Sequence, residues 1–108
     1  MLDVDTIYRK VEEAGLAWAD KKAAYEMLDD MTKTVSADLL TDYGRTCKTK
    51  AEAEALAFSD RRYKEHLALL AAARREWLHS EVRYKSAQLL AELRRSEESS
   101  RRAEMNIR

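Results

Sequence analysis

The sequence predicts an all-α protein: an elongated antiparallel hairpin of two long helices joined by a short one, assembling with further copies into a helical bundle. Three observations carry this. The 108 residues contain no proline and only two glycines, Gly15 and Gly44, so turn clusters that bound strands are nearly absent. Alanine, leucine, glutamate, lysine and arginine dominate, and these are strong helix formers. The apolar residues also recur at helical rather than strand spacing.

The first helix is expected from about Asp3 to Asp42, with Asp3 or Asp5 capping its free N–H groups. Its heptad a positions are 4, 11, 18, 25, 32 and 39, and its d positions 7, 14, 21, 28 and 35. Nine of these eleven are apolar or aromatic; Lys21 and Thr32 are the exceptions. Five unbroken heptads indicate a helix packed lengthwise on another. Gly44 would supply the left-handed residue that closes it. Thr49-Lys-Ala-Glu52 has capping-box spacing and opens a short helix of roughly residues 50–57. Ser59 or Asp60 then offers a second cap. A second long helix follows over about 60–104, with a frayed tail at 105–108.

On a wheel of 100° per residue, Tyr63, Leu67, Leu70, Ala71, Trp77, Leu78, Val82, Tyr84, Leu89 and Leu93 form one broad apolar face. At 1.5 Å per residue the long helices would measure about 60 and 68 Å. A compact globule of this length has a radius of gyration of only about 13 Å. A single 108-residue domain is therefore expected to be elongated. Two helices side by side leave their flanks wet, and the apolar faces here are wider than one seam. Leu16, Ala24, Met27 and Met31 flank the first stripe. Self-association into a homo-oligomer is the expected remedy. The alternative is a monomer whose short helix folds back over the open side. Ile7, Val11, Trp18, Tyr25, Leu28, Leu70, Trp77 and Tyr84 are the expected seam residues, and the aromatics among them are read as core anchors.

Charge is balanced overall but uneven. Residues 1–59 hold 8 Lys/Arg against 12 Asp/Glu, a net of −4; residues 60–108 hold 12 against 8, a net of +4. Opposite arms favour packing together, within one chain or between copies. Within the second long helix, Arg74, Glu81, Lys85 and Glu92 lie near the centre of the apolar face. A hairpin turning near residue 50 sets positions that sum to about 100 side by side. The expected buried polar pairing is Lys21 with Glu81, alongside Lys85 one turn on.

Chemistry-bearing motifs are sparse. Glu76-Trp-Leu-His79 has the Glu-x-x-His spacing of di-metal bundles, but no second copy of it exists, and a solvated face is the better reading. His66 and His79 are too far apart in sequence to form a metal pair. No glycine-rich phosphate loop, zinc-type set or nucleophile triad can be assembled. We therefore expect no catalytic residue, no cofactor and no metal. Cys47 is the single cysteine, which excludes an internal disulfide and fits a reducing cytoplasm. No apolar run approaches a membrane span, and the N-terminus lacks a signal-peptide pattern. Arg83, Arg94, Arg95, Arg101 and Arg102 are the candidates for contact with nucleic-acid phosphates, although Glu97 and Glu98 interrupt them.

The stretches Ala51-Glu-Ala-Glu-Ala-Leu-Ala57, Arg62-Tyr-Lys-Glu-His-Leu67, Ala73-Arg-Arg-Glu76, Val82-Arg-Tyr84 and Arg94-Arg-Ser96 resemble small helical accessory proteins encoded by bacteriophages and prophages. The resemblance spans about residues 5–105 and rests on pattern. It implies the cytoplasm of a bacterial host and a small non-enzymatic protein encoded near recombination functions. The expectation is binding of protein or nucleic acid in DNA recombination or replication. Two alternatives stand beside it. One is an inhibitor of a host nuclease or defence complex, with Asp29, Asp30, Asp38 and Asp42 entering a basic groove. The other is a structural protein of virion assembly, for which oligomerisation is itself the function.

Overall fold

A computed structural model describes residues 3–107. It is all-α, with no strand among the described residues: α1 (Val4–Gly44), α2 (Lys50–Ser59) and α3 (Arg61–Ile107). Contacts divide the chain into two compact units. The first unit joins Met1–Asp20 to Leu78–Arg108; the second is Lys21–Trp77. In both, α1 and α3 run antiparallel.

Each helix start is explained by its cap. The Asp3 carboxylate accepts from the Thr6 N–H at 2.7 Å, and that bond holds its pKa below the usual value. Thr49 Oγ1 accepts from the Glu52 N–H at 3.1 Å, as the capping spacing predicts. Asp60 ends α2 in extended conformation and accepts from the Arg62 N–H at 2.7 Å to open α3. Gly44 behaves differently from expectation. It is the last residue of α1, and no described residue has positive φ. The end of α1 is closed instead by the Thr46 and Cys47 N–H groups, which donate to the Tyr43 carbonyl at 3.1 and 2.9 Å. α3 also outruns the expected 104: residues 105–107 are helical, and Arg108 lies outside the described residues.

The second unit contains the turn. α2 lays Ala53 and Ala57, both buried, toward the helix pair, while Leu39 of α1 is 2% exposed. Side chains this small let a short helix approach closely. Tyr25 stacks on Trp77 with centroids 5.2 Å apart, and Phe58 meets the Tyr63 ring edge-on at 5.2 Å.

In the first unit, Trp18 meets Tyr84 at 5.8 Å, and Tyr84 also lies over Gly15. A Cβ at position 15 would stand 3.1 Å from Tyr84 Cε1, so a side chain there would require the ring to give by a few tenths of an ångström. Ile7 is 4% exposed nearer the start of α1. The contacting pairs cited for α1 and α3 sum to between 97 and 104, close to the expected register.

The seam of α1 follows its heptads, but the seam of α3 does not follow the 100° wheel. Its covered positions are Tyr63, His66, Leu70, Ala73, Trp77, Ser80, Tyr84, Ala87, Ala91, Arg94 and Glu98, alternating by three and four. Leu67, Leu78, Val82, Leu89 and Leu93, expected on the packed face, are exposed. The reason is geometric. Lengthwise packing selects a 3.5-residue period, and a 3.6-residue wheel drifts from it by about 20° per heptad. Over the five heptads from Tyr63 to Glu98 the two readings drift apart by about 100°, although Tyr63, Leu70, Trp77 and Tyr84 belong to both. The real stripe is also poorer in large apolar residues, because Ala73, Ser80, Ala87 and Ala91 lie on it.

Candidate interaction surface

Two kinds of feature stand out: polar residues inside the seam, and apolar residues outside it. Thr32, the polar member of the α1 a positions, meets His66 of α3. Thr32 Oγ1 lies 2.8 Å from His66 Nε2 and 3.2 Å from the Leu28 carbonyl. With its proton directed to that carbonyl, the hydroxyl accepts from an Nε2–H, which sets the ring's tautomer. His66 is 6% exposed, so this bond satisfies a polar group that burial would otherwise penalise. The antiparallel register alone brings positions 32 and 66 together. In the sequence Thr32 is only a polar break in the heptads and His66 only a lone histidine, 34 residues apart.

Lys21 does not pair with Glu81. Its Nζ bonds Glu76 Oε2 at 3.0 Å, and Glu81 pairs with Lys85 at 3.6 Å along α3. Nor is Lys21 buried, since its side chain and that of Glu76 keep roughly half of their surface or more in solvent. The bridge therefore steers register more than it adds stability. The displacement has the same geometric origin: a 100° wheel puts Glu81 on the packed face, whereas Glu76 flanks the seam that 3.5-residue packing selects. With Glu76 bound to Lys21, the Glu76–His79 pair is not set up as a ligand pair. No group of three or more His, Cys, Asp or Glu among the described residues could hold a metal ion.

At the turn, Asp60 is a hub. Its carboxylate takes Arg62 Nε at 3.1 Å, Arg62 Nη2 at 3.2 Å and the Tyr43 hydroxyl at 2.6 Å. The Arg62 guanidinium first, then the Tyr43 hydroxyl, hold the Asp60 pKa well below the carboxylate range. The same bond raises the Tyr43 hydroxyl pKa, because the phenol must keep its proton to donate it. Arg62 also reaches Asp42 at 3.5 Å. Cys47 is half-buried nearby, in a shallow depression lined by Leu40, Gly44, Lys48, Thr49, Lys50 and Ala53.

The expected seam residues sit as follows. Ile7 is buried, and Val11, Trp18, Tyr25, Leu28, Leu70, Trp77 and Tyr84 are half-buried. Many large apolar side chains lie outside the seam. In the second unit, Met27 is 60% and Leu69 59% exposed, with Met31 beside them. In the first, Val82 is 63% and Leu89 57% exposed, with Leu93 one turn on. Met27 and Met31 are i,i+4 neighbours on α1, as Leu89 and Leu93 are on α3.

The basic residues are not equivalent. The Arg94 side chain is only 18% exposed and bridges Glu97 at 3.6 Å and Glu98 at 3.7 Å. Arg83, Arg95, Arg101 and Arg102 are exposed. At the observed register the start of α1 lies opposite about residue 98. Residues 99–107, all exposed, therefore continue past it as lone helix. No helix among the described residues is long and apolar enough to cross a membrane. Comparison of the chain with protein-family models, with curated proteins and with solved structures finds no match.

Proposed function

We propose that this chain is a non-catalytic helical accessory protein that works by self-association and by contact with another macromolecule. The observation that carries the reading is the surplus of apolar surface. The seam between α1 and α3 is already filled, yet Met27, Met31, Leu69, Val82, Leu89 and Leu93 remain in solvent. Side chains of this size are each worth roughly 1.5–3 kcal/mol when fully buried, which favours a partner over a lone hairpin. The resemblance to phage-encoded helical proteins supports a place beside DNA recombination or replication in a bacterial cell. Phosphate contact, in that setting, falls to Arg83, Arg95, Arg101 and Arg102, since Arg94 is engaged by two glutamates.

Light scattering on the purified chain tests the first part, with an oligomer mass at micromolar concentration as the expected result. A monomer mass up to hundreds of micromolar would remove self-association. Titration of single-stranded DNA at several salt concentrations tests the second part. Binding that weakens steeply with salt is expected, and no binding at low salt would leave a protein as the contact.

A further inference from the structure

The second unit carries a face on which the two helices complement each other in both shape and charge. Two ion pairs join α1 to α3 there, Lys21–Glu76 and Asp42–Arg62. They mark one shared flank of the helix pair. Between them on that flank stand Met27 and Met31 of α1 and Leu69 of α3, all exposed. The α3 side of the patch is otherwise small, with Ala68 and Ala72 exposed beside Leu69. On the α1 side the methionines rim an open trough that also includes Asp30.

Charge follows the same division. The α1 edge of the patch carries Asp30 and Asp38, whereas the α3 edge carries Arg75 and Arg61, the latter also paired with Glu65 at 2.7 Å, all exposed. Methionine facing alanine fills space without a clash, and aspartate facing arginine suits a rim. Within one chain the flank is joined at its two ends, by Lys21–Glu76 and Asp42–Arg62; a second copy turned by a two-fold axis parallel to the helices can meet the patch between them.

We propose that this flank binds a second copy of the chain, with α1 of each copy lying antiparallel on α3 of the other. The inference rests on the self-association argued above and names its surface. At the register used within the chain, Met27 falls on Ala72 of the second copy and Met31 on Ala68 or Leu69. Asp38 falls on Arg61, and Asp30 lies one turn from Arg75, within reach of a side chain that long. Each contact occurs twice, as a closed isologous dimer requires.

Sedimentation equilibrium on the full chain at physiological salt tests it. The wild type should be dimeric at micromolar concentration. Met31→Glu, with an unchanged circular dichroism spectrum, should weaken the dimer at least tenfold. Asp30→Arg and Arg75→Asp should each weaken it several-fold, and the double variant should recover most of the loss. A Met31→Glu chain that keeps the wild-type mass, while Leu89→Glu becomes monomeric, would overturn this surface and leave self-association standing. Failure of the double variant to recover would overturn the pairing of the two edges. A wild type that is monomeric throughout would overturn the proposed function as well.

Discussion

Asp60 ends one helix, caps the next and accepts bonds from Tyr43 and Arg62. Its pKa is lower folded than unfolded, so ionised Asp60 favours the folded chain. That contribution is complete above the ordinary value of 3.8 and is lost as pH falls below it toward the folded value. Thermal melts by circular dichroism should therefore drop between pH 5 and pH 2.5, and Asp60→Asn should melt lower at pH 7 with a shallower acid decline. An Asp60→Asn chain with wild-type melting across that range would remove the hub from the account. Gly15 makes a second case at this scale. Alanine in a helix interior is worth about 1 kcal/mol over glycine, yet a Cβ here would press on Tyr84 at 3.1 Å. Gly15→Ala should therefore be more favourable by about 1 kcal/mol in a Tyr84→Ala background than beside Tyr84, as read by urea unfolding in a double-mutant cycle. Equal effects in both backgrounds would mean that the ring does not constrain position 15. Neither role was legible in the sequence. Asp60 was read only as a possible cap, and a lone glycine carries no sign of which ring lies over it.

α1 and α3 show why one element could be read and the other only in part. In α1 the large residues coincide with the heptad, so counting apolar positions finds the packed stripe. In α3, Leu67, Leu78, Leu89 and Leu93 lie off the stripe, while His66, Leu70, Ala73, Ser80, Ala87 and Ala91 lie on it. A count weighted by hydrophobicity therefore selects the wrong face. The register rule, with positions summing to about 100, already pointed at the right one: Trp77 opposes Tyr25, Tyr84 opposes Trp18, and His66 opposes Thr32. The last of these pairs is open to test. Thr32→Val keeps the volume but removes the oxygen that His66 Nε2–H requires. It should cost about 1–3 kcal/mol by urea unfolding, the range for leaving a buried polar group unsatisfied. His66→Leu in that background should recover much of the loss. If Thr32→Val were neutral, the hydrogen bond would have no net stabilising part.

At the scale of the whole molecule, the balanced net charge conceals halves of −4 and +4. In the second unit it appears as Asp30 and Asp38 exposed on α1 and Arg61 and Arg75 exposed on α3, the residues that the proposed dimer would pair. The other end of the chain offers a contrast. Residues 99–107 have no opposing helix and are wholly exposed, so they add little to folding. A chain ending at Glu98 should melt within a few degrees of the full chain, since losses away from packed features stay near 0.5 kcal/mol. A large drop would show that the extension is packed in solution, as it would be against another copy.

Composition and spacing alone determined the helical class, the three helices, two of their caps and the antiparallel register. These follow from local preference and from a heptad repeat that only lengthwise packing can use. The tertiary structure decided which stripe of α3 is covered, that Lys21 meets Glu76, that His66 meets Thr32, and which methionines and leucines are left in water. Those outcomes depend on how two helices divide space across a shared seam. The register alone brings Gly15 under the Tyr84 ring and His66 onto Thr32, and no property of either residue by itself records its partner.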